Sequence, residues 1–543
     1  MPESRVAARP YALLIACGLA LAAASPVVGQ SDPLSEPFPA VLELSDLDGV
    51  IGFGIVGVDE SDQIGWSVNS GGDINGDGVD DIVIGAFSSS PVGRGNAGSA
   101  FVVFGRGGGL GFEAVVDLAN LDGTNGFRID GANRGDQAGL SVASAGDVNG
   151  DGVGDFLIGA PGADPDGRMG GGSTYLVFGR SNRRFPATID LGRFDAADGV
   201  RLDGSKSDGS GFSVASAGDL NADGVDDVII GASLASPAGR KNAGVCYVVF
   251  GRKAGTPFPA TLAMADLDGT DGFQLNGVDI EDFCGQSVAC AGDVNGDGVD
   301  DVIVGANGAD SVGQANAGWL GGAGSSYLVF GRPAGEAFPG VLELSALDGI
   351  NGFRLDGVAP LDNSGVSVAA AGDMNGDGMS DLIIGAPNAS PGLPFMAGAS
   401  YVVFGRKSFP NVLNLADLDG SSGFRLDGVE TEDSSGASVA SVGDINGDGS
   451  DDVAIAARGA ARSYVLFGRD VAKLRAFPSS IDLSDVPGLF GIRLDGSVHV
   501  VASAGDVNGD GVDDLVVGHY SGDPLGRNSA GMVYVVFGRL SNR

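Results

Sequence analysis

Seven copies of one nine-residue string, D-x-N-x-D-G-x-x-D, punctuate this chain, beginning at Asp73, Asp147, Asp219, Asp293, Asp373, Asp444 and Asp506. The intervals between their starts are 74, 72, 74, 80, 71 and 62 residues. Self-similarity at a nearly fixed period means that one supersecondary unit is repeated, and each unit buries its apolar surface against its neighbours. Around every copy the same order of segments recurs. In the second unit GFRIDG (126–131) precedes a polar loop, GLSVASAG (139–146) and the nine-residue string. FLIGAP (156–161), a second polar loop, STYLVFGR (173–180) and FPATIDLGRFD (185–195) follow. The apolar runs are short, rich in Val, Ile, Phe and Tyr, and bounded by Gly, which reads as strands.

Four strands per unit, with the nine-residue string joining the first to the second, make an antiparallel meander. Radial repetition of four-stranded sheets protects their edges. The predicted fold is therefore all-β, a seven-bladed β-propeller with four antiparallel strands per blade, formed by a single domain over residues 38–543. The last unit stops at VYVVFGRLSNR (533–543), its third strand. FPAVLELSDLD (38–48) matches the segment which that unit lacks. The N-terminal strand is expected to complete the final blade beside Val533–Phe537 and so remove the last free edge.

Oxygen-bearing side chains at positions 1, 3, 5 and 9, with Gly at 6 to turn the chain, are how a short loop wraps a hard cation. The absence of His and Cys from the strings selects Ca²⁺ over zinc or copper, and Mg²⁺ prefers to keep its waters. Up to seven Ca²⁺ ions are expected. The candidate ligands are Asp73, Asn75, Asp77 and Asp81, with the carbonyl of Val79, in the first loop; Asp147, Asn149, Asp151, Val153 and Asp155 in the second; and Asp219, Asn221, Asp223, Val225 and Asp227 in the third. Asp293, Asn295, Asp297, Val299 and Asp301 follow in the fourth, and Asp373, Asn375, Asp377, Met379 and Asp381 in the fifth. Asp444, Asn446, Asp448, Ser450 and Asp452 form the sixth, and Asp506, Asn508, Asp510, Val512 and Asp514 the seventh. An EF-hand is excluded, because position 12 is Ile84, Ile158, Ile230, Val304, Ile384, Ile455 or Val517 instead of a bidentate Glu. The competing reading is seven metal-free Asp/Asn/Gly turns. Position 8, usually Asp but Gly154 and Ser380 in two loops, is not an expected ligand.

Arg and Lys total 31 against 70 Asp and Glu, a net charge of −39. Seven bound Ca²⁺ would reduce this to −25, so calcium is expected to relieve self-repulsion. The acidity argues against nucleic acid and anionic membrane surfaces as partners. Residues 1–30 read as a secretory signal, with Arg5 and Arg9 before the apolar run Tyr11–Ala24, cleavage after Ala24 or Gly29, and a linker over 31–37. A lipoprotein box ending at Cys17 is the weaker alternative, since apolar residues follow that Cys. Secretion to the cell exterior or surface is expected, with the periplasm as the alternative and no transmembrane span in the mature chain. Cys246, Cys284 and Cys290 do not make a disulfide framework and read as buried small side chains.

These motifs resemble the FG-GAP repeat family, the seven-bladed propeller at the head of integrin alpha subunits and in many bacterial surface proteins. The G-x-S-V opening stands at Gly65, Gly139, Gly211, Gly285, Gly365 and Gly436, and is lost in blade seven. The G-A-P triplet is intact at Gly159–Pro161 and Gly385–Pro387, altered at Phe87, Ser233 and Asn307, and degraded at Ala456–Arg458 and Gly518–Tyr520. Ile64, Ala138, Ser210, Cys284, Ser364 and Ser435 replace the family's Phe. The resemblance implies that the calcium ligands carry over at all seven loops. It also implies that a protein or glycan ligand binds the face opposite them. Without an inserted domain, downstream sandwich domains or a C-terminal span, the chain is not expected to be an integrin subunit itself.

On that face the variable loops carry several features. Arg134–Gly135–Asp136 is the tripeptide that integrins recognise, but chance accounts for it. Trp319, near Asp310 and Gln314, is either ligand-facing or packed in its loop. His499 and His519 are a metal or pH-sensing pair or two unrelated substitutions, expected at the strand ends away from calcium. A secreted binding or adhesion module, not an enzyme, is the leading reading. The alternatives are an extracellular hydrolase or polysaccharide lyase, with Lys206 and Lys241 as candidate bases, and a ligand-free spacer or matrix component. The family's phospholipase D owes its chemistry to a separate zinc domain, for which this chain lacks the His cluster.

Overall fold

The computed structural model describes residues 37–181, 184–310, 322–392 and 395–540. The signal segment, Cys17, Gln314 and Trp319 lie outside them. Seven five-stranded sheets account for the strands of the described residues. In blade one the strands are Ser67–Gly72, Asp81–Ala86, Ser99–Val103 and Gly126–Asp130, paired antiparallel in that order, and Thr188–Asp190, added in parallel at the outer edge.

Asp81–Ala86 and Ser99–Val103 are buried at every position, because blades stack face to face and cover both sides of their middle strands. This is why those strands read as unbroken apolar runs and not as alternation. Seven apolar clusters fill the seven gaps between blades. Val83, Val102 and Phe127 of blade one meet Val142, Phe156 and Ile158 of blade two. Ile82 and Ile84 meet Val516 and Val533 in the same way, so blade one also packs on blade seven and the ring closes. The glycines of the two motifs face each other across six of these gaps; between blades six and seven Ala456 and Val498 stand in their places. A Cβ on Gly85 would lie 2.1 Å from the carbonyl oxygen of Gly139, so only Gly lets neighbouring blades approach this closely.

Two expectations about strand identity need correction. The fourth strand is the G-F-R-I-D run, not the F-P-A-T-I-D-L segment. The latter contributes only three strand residues before a 3₁₀ turn at Leu191–Arg193, where the Asp190 side chain accepts the Gly192 N–H. It therefore reaches over to become the parallel fifth strand of the preceding blade. Phe185 anchors it there, stacked on Phe127 at 4.2 Å, with Arg180 above its ring. The N-terminal closure follows the same rule. Gly52–Val56, not residues 38–48, pairs antiparallel with Met532–Val536 and completes blade seven, Phe53 opposite Val535. Val41–Glu43 lies instead in parallel on Gly491–Asp495 of blade six. The ends of the ring are thus joined twice, on two adjacent sheets.

Candidate metal centres and the opposite face

Each nine-residue string forms the hairpin tip between the first two strands of a blade. In the first, the Asp73 carboxylate accepts the N–H groups of Asp77 (2.9 Å) and Gly78 (2.8 Å), which curls the loop around it. Gly76 and Gly78 take φ values of +72° and +88°, a region that only Gly enters without strain. The same pair of bonds to the position-1 Asp recurs in the other six loops. The position-5 Asp accepts the N–H of position 7 in the loops of Val79, Val153, Val299, Met379, Ser450 and Val512.

The position-9 carboxylates Asp81, Asp155, Asp227, Asp301, Asp381, Asp452 and Asp514 are fully buried. Each receives an N–H from the Gly of the F-G-R run that ends the third strand, Gly105 in blade one at 2.9 Å. The position-3 amides of Asn75, Asn149, Asn221, Asn375, Asn446 and Asn508 also donate to them. Burial, reinforced by the position-1 and position-5 carboxylates, pushes these acids up; Asp227 and Asp301 rise to about 8. The charges acting on all seven are other carboxylates.

Each loop thus carries three Asp and one Asn in one hairpin tip, six of the seven Asn amides donating to the position-9 carboxylate. Two acceptor atoms there, Asn375 Oδ1 and Asp223 Oδ1, are buried without a hydrogen-bond partner. That donor set suits a hard cation. Among the described residues no group of three or more His, Cys, Asp or Glu side chains is drawn into an ion-holding geometry.

Position 8, which sequence reasoning set aside, turns out to join blades. Asp80 accepts the N–H of Asp506 across the ring closure at 3.0 Å. Asp226, Asp300, Asp451 and Asp513 do the same for Asp147, Asp219, Asp373 and Asp444. Where Gly154 and Ser380 stand instead, their own N–H groups bond the carbonyls of Asp73 and Asp293. The recurrence of Asp at position 8 in five of the seven strings was the signal available for this role.

On the opposite face, Asp136 of the Arg134–Gly135–Asp136 tripeptide is 4% exposed and accepts the Asn133 N–H. Asp62, Asp208, Asp282, Asp362 and Asp433 repeat that contact in other blades, so Asp136 belongs to the repeat and is not presented to a partner. Lys241 is paired with Glu281 at 2.9 Å, and Lys206 is exposed. His499 and His519 do come together at the strand ends away from the acidic tips, ring centres 5.2 Å apart, and Tyr520 stacks on His499 at 4.1 Å. Cys246 and Cys284 are also neighbours, Sγ to Sγ 3.9 Å, a contact that their 38-residue separation hid.

The FG-GAP repeat model matches residues 64–103, 138–177, 210–249, 285–328, 364–403, 435–466 and 500–536, one match for each blade. The chain belongs to the FG-GAP repeat family. It is similar to integrin alpha pat-2 of Caenorhabditis elegans (30% identity over 262 residues, 46% of this chain and 18% of that protein). Integrin alpha-PS2 of Drosophila melanogaster is 30% identical over 238 residues, 39% of this chain and 14% of that one. The phosphatidylinositol-glycan-specific phospholipase D of Bos taurus is 33% identical over 167 residues, 31% of this chain and 18% of that enzyme. The chain therefore spans less than a fifth of the length of these relatives. A chain of Kuenenia stuttgartiensis hydrazine synthase aligns over 85% of this one at TM-score 0.40 and 10% identity, too distant to bear on the argument. No helix among the described residues is long and apolar enough to cross a membrane.

Proposed function

We propose that this FG-GAP propeller is a secreted binding module of the adhesion type, held rigid by Ca²⁺ in its seven hairpin tips. The observation that carries the calcium reading is the set of seven fully buried position-9 carboxylates whose charged neighbours are further carboxylates. Asp at positions 1, 5 and 9 and Asn at 3 would hold each ion, with the position-7 carbonyl completing the set. Calcium would supply charge neutralisation and cross-linking, not chemistry on a substrate. Sites of the extracellular kind, with Kd of about 10⁻⁴ to 10⁻³ M, fill outside cells and empty in cytosol, which accords with an N-terminal export signal. Similarity to integrin alpha chains supports a protein or glycan ligand on the face opposite the tips, where loops of variable length sit on a rigid scaffold.

The test is calorimetry of calcium-replete and chelator-stripped protein, followed by protein and glycan arrays under both conditions. A large calcium-dependent rise in Tm with calcium-dependent, selective array binding is expected. Equal melting curves would refute the metal assignment. Turnover of a uronic-acid polymer would make the protein an enzyme.

A further inference from the structure

The seven repeats allow each position to be compared with its own equivalents inside one chain. The departures in blades six and seven fall together in space. Arg458 and Tyr520 stand where Pro161 and Pro387 complete G-A-P, and His499 lies where the G-x-S-V opening is lost. All three line one cavity of about 630 Å³ on the face opposite the acidic tips, bounded further by Asn388, Ser434 and Ser521. Behind it Tyr520 packs against Trp66 (4.7 Å), which packs against Phe87 (4.7 Å), so the row of rings is braced from blade one.

Two features of this cavity point to an anion. In a chain of net charge −39 its lining contains the cation Arg458 and not one Asp or Glu. A carboxylate is repelled by most of this surface and meets a local excess of donors here. In addition, Nδ1 of His499 is buried with no hydrogen-bond partner; burial, with His519 and Arg458 nearby, lowers this imidazole to about 4, so it is neutral at pH 7 and has an N–H to offer but no charge. Arg458 is exposed, donates to the Tyr520 hydroxyl and lies over that ring, and makes no ion pair among the described residues. Its remaining N–H groups are free to meet a carboxylate in a charge-assisted pair.

The neighbouring cavity, about 560 Å³, shares Asn388 and presents Leu361 and Phe395, 53% and 62% exposed. A recess with exposed apolar side chains, lined also by Arg425 and the buried Asp362, beside one that carries Arg458 suits a peptide better than a sugar chain. The faces of Tyr520 are occupied by His499 and Arg458, leaving no open ring for a sugar to stack on.

We infer that the cavity between blades five and seven binds an acidic side chain of a peptide or protein ligand through Arg458, with an adjoining apolar residue of that ligand seated on Leu361 and Phe395. This deepens the binding-module reading and rests on it.

The probe is an array of capped pentapeptides with Asp fixed at the centre and the flanking positions randomised, beside the matching array with central Asn. It is read with the full chain in millimolar calcium. Enrichment of Asp over Asn by at least tenfold is expected, with apolar residues selected beside it. Arg458→Gln should abolish the Asp preference, and Phe395→Ser the apolar one, both without moving Tm by more than about 1–2 °C, as for exposed substitutions. No Asp preference, an Asp preference that survives in R458Q, or binding only to an oligogalacturonate control would overturn the site. If R458Q keeps all protein- and glycan-array binding of the unmodified chain, the site falls and the binding module stands. If the unmodified chain binds nothing in calcium, the module reading itself falls.

Discussion

Replacing Asp227 with Asn separates a calcium-holding tip from a metal-free turn by the sign of its effect. The Asp227 carboxylate is fully buried and accepts the Gly251 N–H at 2.8 Å and the Asn221 amide at 3.3 Å. Burial first, and then the charges of Asp219 and Asp223, raise it from its ordinary 3.8 to about 8. Without a cation the folded chain holds this group protonated at pH 7 while the unfolded chain ionises it. That mismatch spans a little over three pH units and costs about 4 kcal/mol. An Asn of nearly the same shape carries no such cost. Its oxygen still accepts from Gly251, whereas the contact with Asn221 is lost, a loss of about 1–2 kcal/mol. In chelator, Asp227→Asn should therefore be more stable than the parent by about 2–3 kcal/mol. In millimolar calcium the parent gains an ion that the variant holds poorly, and the order should invert. Urea denaturation with and without calcium, followed by Trp66 fluorescence in a Trp319→Phe background, gives both numbers. A variant less stable than the parent in chelator, or an order unchanged by calcium, would refute the reasoning.

Three further outcomes follow from the geometry. Asp80→Ala leaves the Asp506 N–H without its acceptor at the ring closure and should cost about 1–3 kcal/mol, whereas Ser380→Ala, whose link to Asp293 is backbone, should cost less than about 0.5 kcal/mol in the same denaturation assay. Phe53→Ala removes a fully buried ring stacked on Phe112 at 4.1 Å and should cost about 3–5 kcal/mol, against under about 1 kcal/mol for Val41→Ala on the outer parallel strand; hydrogen exchange should show Gly52–Val56 better protected than Val41–Glu43. Burial lifts Asp282 from 3.8 to about 6, aided by the charges of Asp279 and Asp310. The folded state therefore takes its proton more readily, so this group adds stability as pH falls from about 6 toward 4 and withdraws it as pH rises through 6. In saturating calcium, the Tm of Asp282→Asn minus that of the parent should fall as the pH is lowered across this window, and a flat difference would contradict the assignment.

Some of this molecule is legible in a single unit of its sequence. The D-x-N-x-D-G-x-x-D tip is local: its position-1 carboxylate bonds N–H groups four and five residues away, and positions 4 and 6 supply the positive φ angles, both Gly except for Ala222 in the third loop. Residue type and spacing therefore suffice to specify the loop. Seven such units in register imply a ring for the same reason, because each unit has two apolar faces to cover.

Strand partnership is a different matter. G-F-R-I-D and F-P-A-T-I-D-L are both short apolar runs, and periodicity does not rank them. Five paired residues against three, a stacked Phe185 and an early 3₁₀ turn decide that one becomes the fourth strand and the other the neighbour's fifth. The same competition places Gly52–Val56, and not residues 38–48, at the closure. The position-8 Asp looked idle because its partner lies one blade away, about 80 residues distant in Asp226 with Asp147 and 426 in Asp80 with Asp506. Arg458, His499 and Tyr520 come from two blades, and the cavity they line exists only once blades five, six and seven have packed side by side. Local chemistry fixed the tips and the count of blades; packing between blades, which no linear pattern records, decided what each strand pairs with and which side chains meet on the face opposite the tips.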